Sequence, residues 1–284
     1  MRTRIISALI MITAIYFILL HLPWYALAAT TVILGYISLH EYQTMAQADR
    51  TWGQKLYLML CLTPFLLVPI MQQMNYTLSM STWVFLVFIG ICFLHLRHPL
   101  PLEKSAARVG LDLLGVLYVG CTLPFVLQLR LLDVEQGWAW VVLSMLITFG
   151  GDTGGYFAGR AFGGKIFKGR KLAPQLSPNK TWEGYLGGLL LGGVGAYVAQ
   201  QYFTVCSALN TFDCLFLGVV GVTLGVWGDL FESMLKRSAQ VKDSGSLIPG
   251  HGGVLDRIDA LLFVAPFVYI YITQWKPYLS TFFA

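Results

Sequence analysis

The chain has 284 residues, 56% of them hydrophobic and only 12% charged, with a mean hydropathy of +0.66. Soluble domains run near a quarter charged, so this chain lacks the polar residues needed to clothe a globule of its size. Disorder requires low hydrophobicity and high charge, and is excluded as well. The composition therefore implies an integral membrane protein. The formal net charge of +5 permits a nucleic acid, an anionic lipid or an anionic small molecule as partner, and the placement of the cations must decide. The five cysteines, Cys61, Cys92, Cys121, Cys206 and Cys214, show no CxxC spacing, so neither a disulfide framework nor a zinc site is indicated. Cys206 and Cys214 flank one short segment and could pair, though free buried thiols are the simpler expectation.

A bilayer core requires about 20 mostly apolar residues per helix. Nine stretches qualify in chain order: about 5–20, 22–40, 56–71, 78–96, 109–129, 138–158, 184–203, 211–231 and 258–275. Pro64 and Pro69 in the third predict a kink or a partial span. Arg2, Arg4, the run Ile5–Leu20 and Ala26-Leu27-Ala28 imitate a signal peptide. Apolar residues resume at Trp24, however, which places the apparent cleavage site inside the next span, so a retained first helix is expected. With nine crossings, 17 of the 19 Lys and Arg fall on the N-terminal side, leaving Arg130 and Lys276 opposite. Cationic loops stay inside, so the N-terminus is expected in the cytoplasm. The predicted architecture is an all-α, polytopic helical bundle of about nine transmembrane helices. It forms a single membrane domain over 1–284, with N-terminal spans in 1–130 and catalytic spans in 131–284. The longest cytoplasmic-side loops are 159–183 and 232–257, and long polar loops on one face are where chemistry is usually placed.

Gly150-Gly151-Asp152-Thr153-Gly154-Gly155 sets a carboxylate near the inner end of the sixth span. Its glycines permit close helix approach, and an acid at membrane depth usually faces a partner or a ligand. The loop after it holds six cations and no acid. Gly159, Gly164 and Lys165 fit P-loop spacing, but Ile166 stands where a magnesium-binding Ser or Thr belongs, so a P-loop is rejected. Ser177-Pro178-Asn179-Lys180-Thr181-Trp182-Glu183 resembles a helix start, whose amides would face a phosphate with Lys180 and the hydroxyls completing the cradle.

The richest constellation runs from Gly228 to Asp259. Asp229, Glu232, Ser233, Lys236 and Arg237 fall at i, i+3, i+4, i+7 and i+8, on one helical face. A plain Glu232–Lys236 ion pair would account for part of that stripe. Asp256 and Asp259 form a second acid pair, preceded by His251-Gly252-Gly253. Asp229 together with Asp256 or Asp259 could bind Mg²⁺, which takes one or two carboxylates plus substrate phosphates. Metal, cations and in-line positioning are the parts that phosphoryl or nucleotidyl transfer needs.

Ser233-Met-Leu-Lys236-Arg237, Lys242-Asp243 and His251-Gly-Gly-Val-Leu-Asp256-Arg257-Ile-Asp259, with the segments around Asp152, Tyr156 and Ser177–Glu183, resemble the signature of the bacterial phosphatidate cytidylyltransferases, or CDP-diacylglycerol synthases. The resemblance covers roughly residues 150–260. It implies that CTP and phosphatidate give CDP-diacylglycerol and pyrophosphate with Mg²⁺, beside a possible monovalent cation. It also implies a homodimer in the inner (plasma) membrane among membrane lipids, with its active site facing the cytoplasm. No nucleic-acid partner is expected. On these grounds Asp229 and Asp256 are the expected metal ligands, with Asp259 supporting. Ser177, Lys180 and Thr181 are expected to grip phosphate, as are Lys236 and Arg237. Asp152, Glu183 and Ser233 join the substrate-binding set, and Lys242, Asp243, His251 and Arg257 line the site. A CTP-dependent lipid kinase would share much of this logic but needs a base for its hydroxyl substrate. An anion transporter would place polar residues at matching positions in two halves, whereas here they concentrate in one. A CDP-alcohol phosphotransferase would carry an Asp-Gly-x2-Ala-Arg type motif, which is absent.

Overall fold

The structure is a computed structural model that describes residues 2–76, 80–97 and 102–278. The side chains of Arg2 and Arg4 and the first residues of the expected fourth span lie outside the described residues. The chain divides into two compact units, Met1–Leu131 with Ala239–Arg257, and Leu132–Ser238 with Ile258–Ala284. The polar segment 239–257, grouped above with the catalytic spans, thus belongs to the first unit.

The first unit is built from α1 (Arg2–Leu20), α2 (Trp24–Ala46), α3 (Trp52–Gln73), α4 (Met80–Arg97), α5 (Leu102–Gly120) and α6 (Pro124–Leu131). A capping box starts α3: Thr51 Oγ1 accepts from Gln54 N, and Gln54 Oε1 accepts from Thr51 N. Against the expectation of a partial span, α3 runs for 22 residues through both prolines. The expected fifth span lies within the apolar stretch Glu103–Leu131, which passes through a turn at Cys121–Leu123 before Pro124 opens α6, the position where its missing N–H costs nothing. Asp112 of α5 gathers a buried ionic knot. Arg50 pairs with its Oδ2, His95 Nε2 lies 2.7 Å from the same oxygen, and Gln47 Nε2 donates to Oδ1 at 3.0 Å. That knot ties α2, the α2–α3 turn, α4 and α5 together. The returning segment ends in the short α10 (Leu255–Ile258).

The second unit holds α7 (Trp138–Phe162), a hairpin of β1 (Lys171–Ala173) and β2 (Ser177–Thr181), α8 (Trp182–Tyr202), α9 (Thr211–Ser238) and α11 (Leu261–Ile270), which continues as a π-helical stretch over Tyr271–Trp275. The antiparallel hairpin, in which Lys171 faces Thr181 and Ala173 faces Ser177, departs from the strictly all-α expectation. Helices α7 and α8 meet backbone to backbone. A Cβ on Gly154 would lie 2.3 Å from the carbonyl oxygen of Gly187, and one on Gly187 would lie 2.2 Å from Ala158 Cβ. Only glycine fits such an approach. At the start of α9, buried Asp213 accepts from Tyr271 Oη at 2.5 Å, from Asn210 N at 2.8 Å and from Lys276, which fastens the C-terminal helix.

The fold is nearly all helical. Among the described residues, Trp52–Gln73, Glu103–Leu131 and Thr211–Ser238 are long and apolar enough to cross a membrane, and Ile6–Leu20 and Ser81–Arg97 are shorter apolar helices. All five cysteines are free.

Candidate active site

In the second unit, α7 ends in a loop that reverses through Gly164, Lys168 and Gly169, all at positive φ. One carboxylate organises that loop. Glu183, in the first turn of α8 and just outside the expected span 184–203, accepts at Oε1 from Gly164 N (3.0 Å), Ile166 N (3.2 Å) and Phe167 N (3.0 Å). The Phe167 amide foremost, with those of Ile166 and Gly164, holds the Glu183 carboxyl below its ordinary value of 4.5. Glu183, expected to contact substrate, is thus buried and holds the cationic loop. Thr181 is buried as well and caps α8, its Oγ1 accepting from Gly184 N at 3.1 Å. The expected phosphate cradle at this helix start therefore has one of its amides occupied by the chain itself. Ser177 opens β2 and Lys180 sits near its end, so the hairpin, rather than a helix, carries both.

Lys180 Nζ lies 2.6 Å from Asp229 Oδ2, with the two side chains 24% and 32% exposed. On α9 the helical stripe sorts into pairs. Ser233 Oγ donates to Asp229 Oδ1 at 3.3 Å, and Lys236 Nζ donates to fully buried Glu232 at 2.5 Å. Glu232 also hydrogen-bonds the half-buried Asp259. Asp259 feels the charge of Asp229 most strongly and that of Asp152 after it. Asp152 and Arg237 are exposed. Asp229 is thus paired with Lys180 and Glu232 with Lys236, while Asp259 bonds Glu232 and lies within the field of Asp229 and Asp152. Carboxylates that repel one another are favoured by a nearby cation.

Among the described residues no three His, Cys, Asp or Glu side chains form a ready-made metal cage. Mg²⁺ does not need one, because it keeps waters and takes substrate phosphate oxygens beside one or two carboxylates. Hard carboxylate oxygens with an excess of negative charge fit that ion.

In the first unit, the segment 239–257 carries Lys242, Asp243 and Arg257 exposed and His251 half-buried, its Nδ1 without a hydrogen-bond partner among the described residues. Gly250 and Gly252 adopt φ of +76° and +84°, which bend the loop about His251. Asp256 is 8% exposed, and its Oδ2 accepts from Gly253 N (2.8 Å), Ser244 N (2.9 Å) and Ser244 Oγ (3.0 Å). The residue that sequence reasoning missed is Glu41. From the end of α2 it accepts at Oε1 from Val254 N (2.9 Å) and at Oε2 from Leu255 N (2.9 Å) and Ser244 Oγ (3.1 Å). Its signal was an acid in His40-Glu41-Tyr42-Gln43, directly after an apolar span.

Residues 2–275 match the Cytidylyltransferase family. The chain is 44% identical over 165 residues to a phosphatidate cytidylyltransferase of Haemophilus influenzae, an alignment that covers 55% of this chain and 56% of that protein. It is 37% identical over 172 residues to one of Bacillus subtilis, with 60% of each chain covered. It is 32% identical over 310 aligned positions to one of Synechocystis sp., with 98% of each covered. The first two alignments thus span little more than half of those relatives, whereas the family match and the third run nearly from end to end. With the acids and lysines of α9 and the hairpin in place, the chain belongs to the cytidylyltransferase family.

Proposed function

We propose that this protein transfers the cytidylyl group of CTP to phosphatidate, releasing pyrophosphate and forming CDP-diacylglycerol for phospholipid synthesis. The observation that carries the proposal is the Lys180–Asp229 pair of the second unit, in which a cation of the kind that binds phosphate stands 2.6 Å from an anion of the kind that binds a metal ion. A phosphatidate oxygen forms the new bond to the α-phosphorus of CTP while the bond to the bridging oxygen of the β-phosphate breaks, and pyrophosphate leaves. Phosphate monoesters are already anionic near neutral pH, so no strong base is required.

Asp229 and Asp259 are the proposed Mg²⁺ ligands of this unit; Asp256, which the family resemblance names, belongs to the first unit. Bound there, Mg²⁺ would offset the charge of the phosphates. Lys180 would exchange Asp229 for a phosphate oxygen, and Lys236, anchored by Glu232, would add a second fixed positive charge. Preorganised charge of this kind acts most strongly where charge develops in the transition state. Ser233 orients the Asp229 carboxylate, and Glu183 holds the cationic loop by the amides of Gly164, Ile166 and Phe167.

The uneven division of Lys and Arg supports an inner-membrane location with nine spans and a cytoplasmic N-terminus, which would let CTP reach the site from the cytoplasm. A homodimer rests on the family resemblance. The test is incubation of the purified protein with labelled CTP, phosphatidate and Mg²⁺. CDP-lipid with pyrophosphate is the expected outcome. A phosphorylated lipid with CDP would establish lipid kinase chemistry instead.

A further inference from the structure

We propose that Glu41, on the second helix and far from every signature motif in sequence, is a positioning residue that holds the His251–Asp256 loop in its working shape. The proposal presupposes the cytidylyl-transfer reading above and adds a residue from the N-terminal spans.

Glu41 is 6% exposed, and both of its oxygens are engaged by the loop. Oε1 takes the amide of Val254, while Oε2 takes the amide of Leu255 and the hydroxyl of Ser244. Two successive amides at the start of α10 thus converge on one carboxylate. The same hydroxyl also lies 3.0 Å from Asp256 Oδ2, so Ser244 joins Glu41 to the expected metal ligand. No slack surrounds this contact. A Cβ on Gly253 would lie 2.3 Å from Ser244 Oγ and 2.4 Å from Glu41 Oε2, and one on Gly245 would lie 2.6 Å from Glu41 Oε1. The two glycines are where the loop backbone and the acid close on each other. Ser7 of α1 adds a further hold, its Oγ donating to the carbonyl of Pro249 at 2.9 Å.

A carboxylate offers two acceptors, and its charge strengthens each hydrogen bond. Glu41→Gln keeps the shape but turns one acceptor into a donor, so either the Val254 or the Leu255 amide faces an N–H. Buried amides are rarely left unpaired, so the loop must shift. Asp256, reached through Ser244, then moves out of register. Glu41 touches no reacting atom, so its effect should appear in the rate constant and in the order of the loop.

The test compares the full-length protein in detergent with Glu41→Gln, Glu41→Asp and Gly253→Ala. Expected for Glu41→Gln is a roughly 10- to 100-fold fall in kcat, the range for losing an outer partner of a ligating group, with a smaller change in KM for CTP. Hydrogen exchange in the metal-free protein should quicken at Val254 and Leu255 while α3 keeps its protection. Glu41→Asp, which retains both acceptors on a shorter arm, should recover part of the rate. Wild-type kcat and wild-type exchange in Glu41→Gln would overturn the proposal. So would faster exchange spread evenly through α2–α5, which marks a merely structural role. If Glu41→Gln does not fold, Gly253→Ala decides: a comparable kcat loss supports the hold and an unchanged kcat refutes it. A wild-type protein that makes no CDP-lipid would defeat the functional reading alone, because the exchange comparison reads the Glu41 contact without catalysis.

Discussion

Replacing Asp229 by Asn separates folding from chemistry at the centre of the acid cluster. The two side chains have the same shape, so the change removes one charge and little else. What the fold loses is the Lys180 ion pair, whose members are 24% and 32% exposed. Pairs so open to solvent contribute about 0–1 kcal/mol. The Ser233 contact at 3.3 Å survives, because the amide oxygen can accept in its place. Relief of the repulsion between Asp229 and Asp259 offsets part of the loss. Thermal unfolding in detergent should therefore shift by no more than a few degrees. Turnover should respond on another scale, because a carboxylate that holds a metal ion controls several kcal/mol of charge stabilisation. A loss of about 4 kcal/mol corresponds to roughly a thousandfold in rate. The assay measures labelled CDP-lipid from CTP and phosphatidate in mixed micelles, beside a melting curve on the same preparation. Turnover within tenfold of wild type, with the melting curve unchanged, would refute a metal-binding role for Asp229. A collapse of the melting curve would show that the Lys180 pair is a structural lock.

Three further outcomes follow from the buried carboxylates. Glu183→Gln should leave α8 formed but loosen the loop at 164–167, seen as faster trypsin cleavage at Lys165 and Lys168 at pH 7.5; an unchanged digestion pattern would count against the loop-closing role. The wild-type Glu183 carboxyl is depressed below 4.5, so its stabilisation is fully present above that pH and is lost as pH falls through the lower folded value. Hydrogen exchange of the loop should accordingly stay flat from pH 5 to 8, once corrected for intrinsic rates, and rise only in stronger acid. Asp112→Asn should destabilise the first unit by about 3–5 kcal/mol, because Arg50 and His95 lose the anion they share in a buried setting. Detergent melting measures it, and a double replacement of Arg50 and Asp112 by apolar residues should recover much of the loss.

What could be read from the sequence divides along the range of the interactions. Helix positions follow from local hydropathy, and α7, α8 and α9 start within two residues of the expected spans. The stripe of Asp229, Glu232, Ser233 and Lys236 was legible for the same reason, since helical periodicity is local, and the Glu232–Lys236 pair forms as i,i+4 spacing allows. The hairpin was not legible, because Lys171–Thr181 shows no alternating pattern and carries Pro174, Pro178 and a run of polar residues. Without the hairpin, nothing placed Lys180 against Asp229. Glu183 looked like half of a capping pattern for substrate, but its oxygen is taken by amides 16 to 19 residues upstream. Glu41 was hidden most completely, because its partners lie 203 to 214 residues later in the chain.

That separation bears on how the protein is made. Ribosomes deliver Glu41 long before Ser244, Val254 and Leu255 exist, so the nascent α2 must carry an acid whose permanent donors have yet to emerge. Water or a temporary proton has to serve in the interval. The first unit can close only once the returning segment has been translated. A nascent chain stopped short of residue 239 would therefore offer quality-control proteases an unfinished N-terminal bundle, however well its individual helices had already inserted.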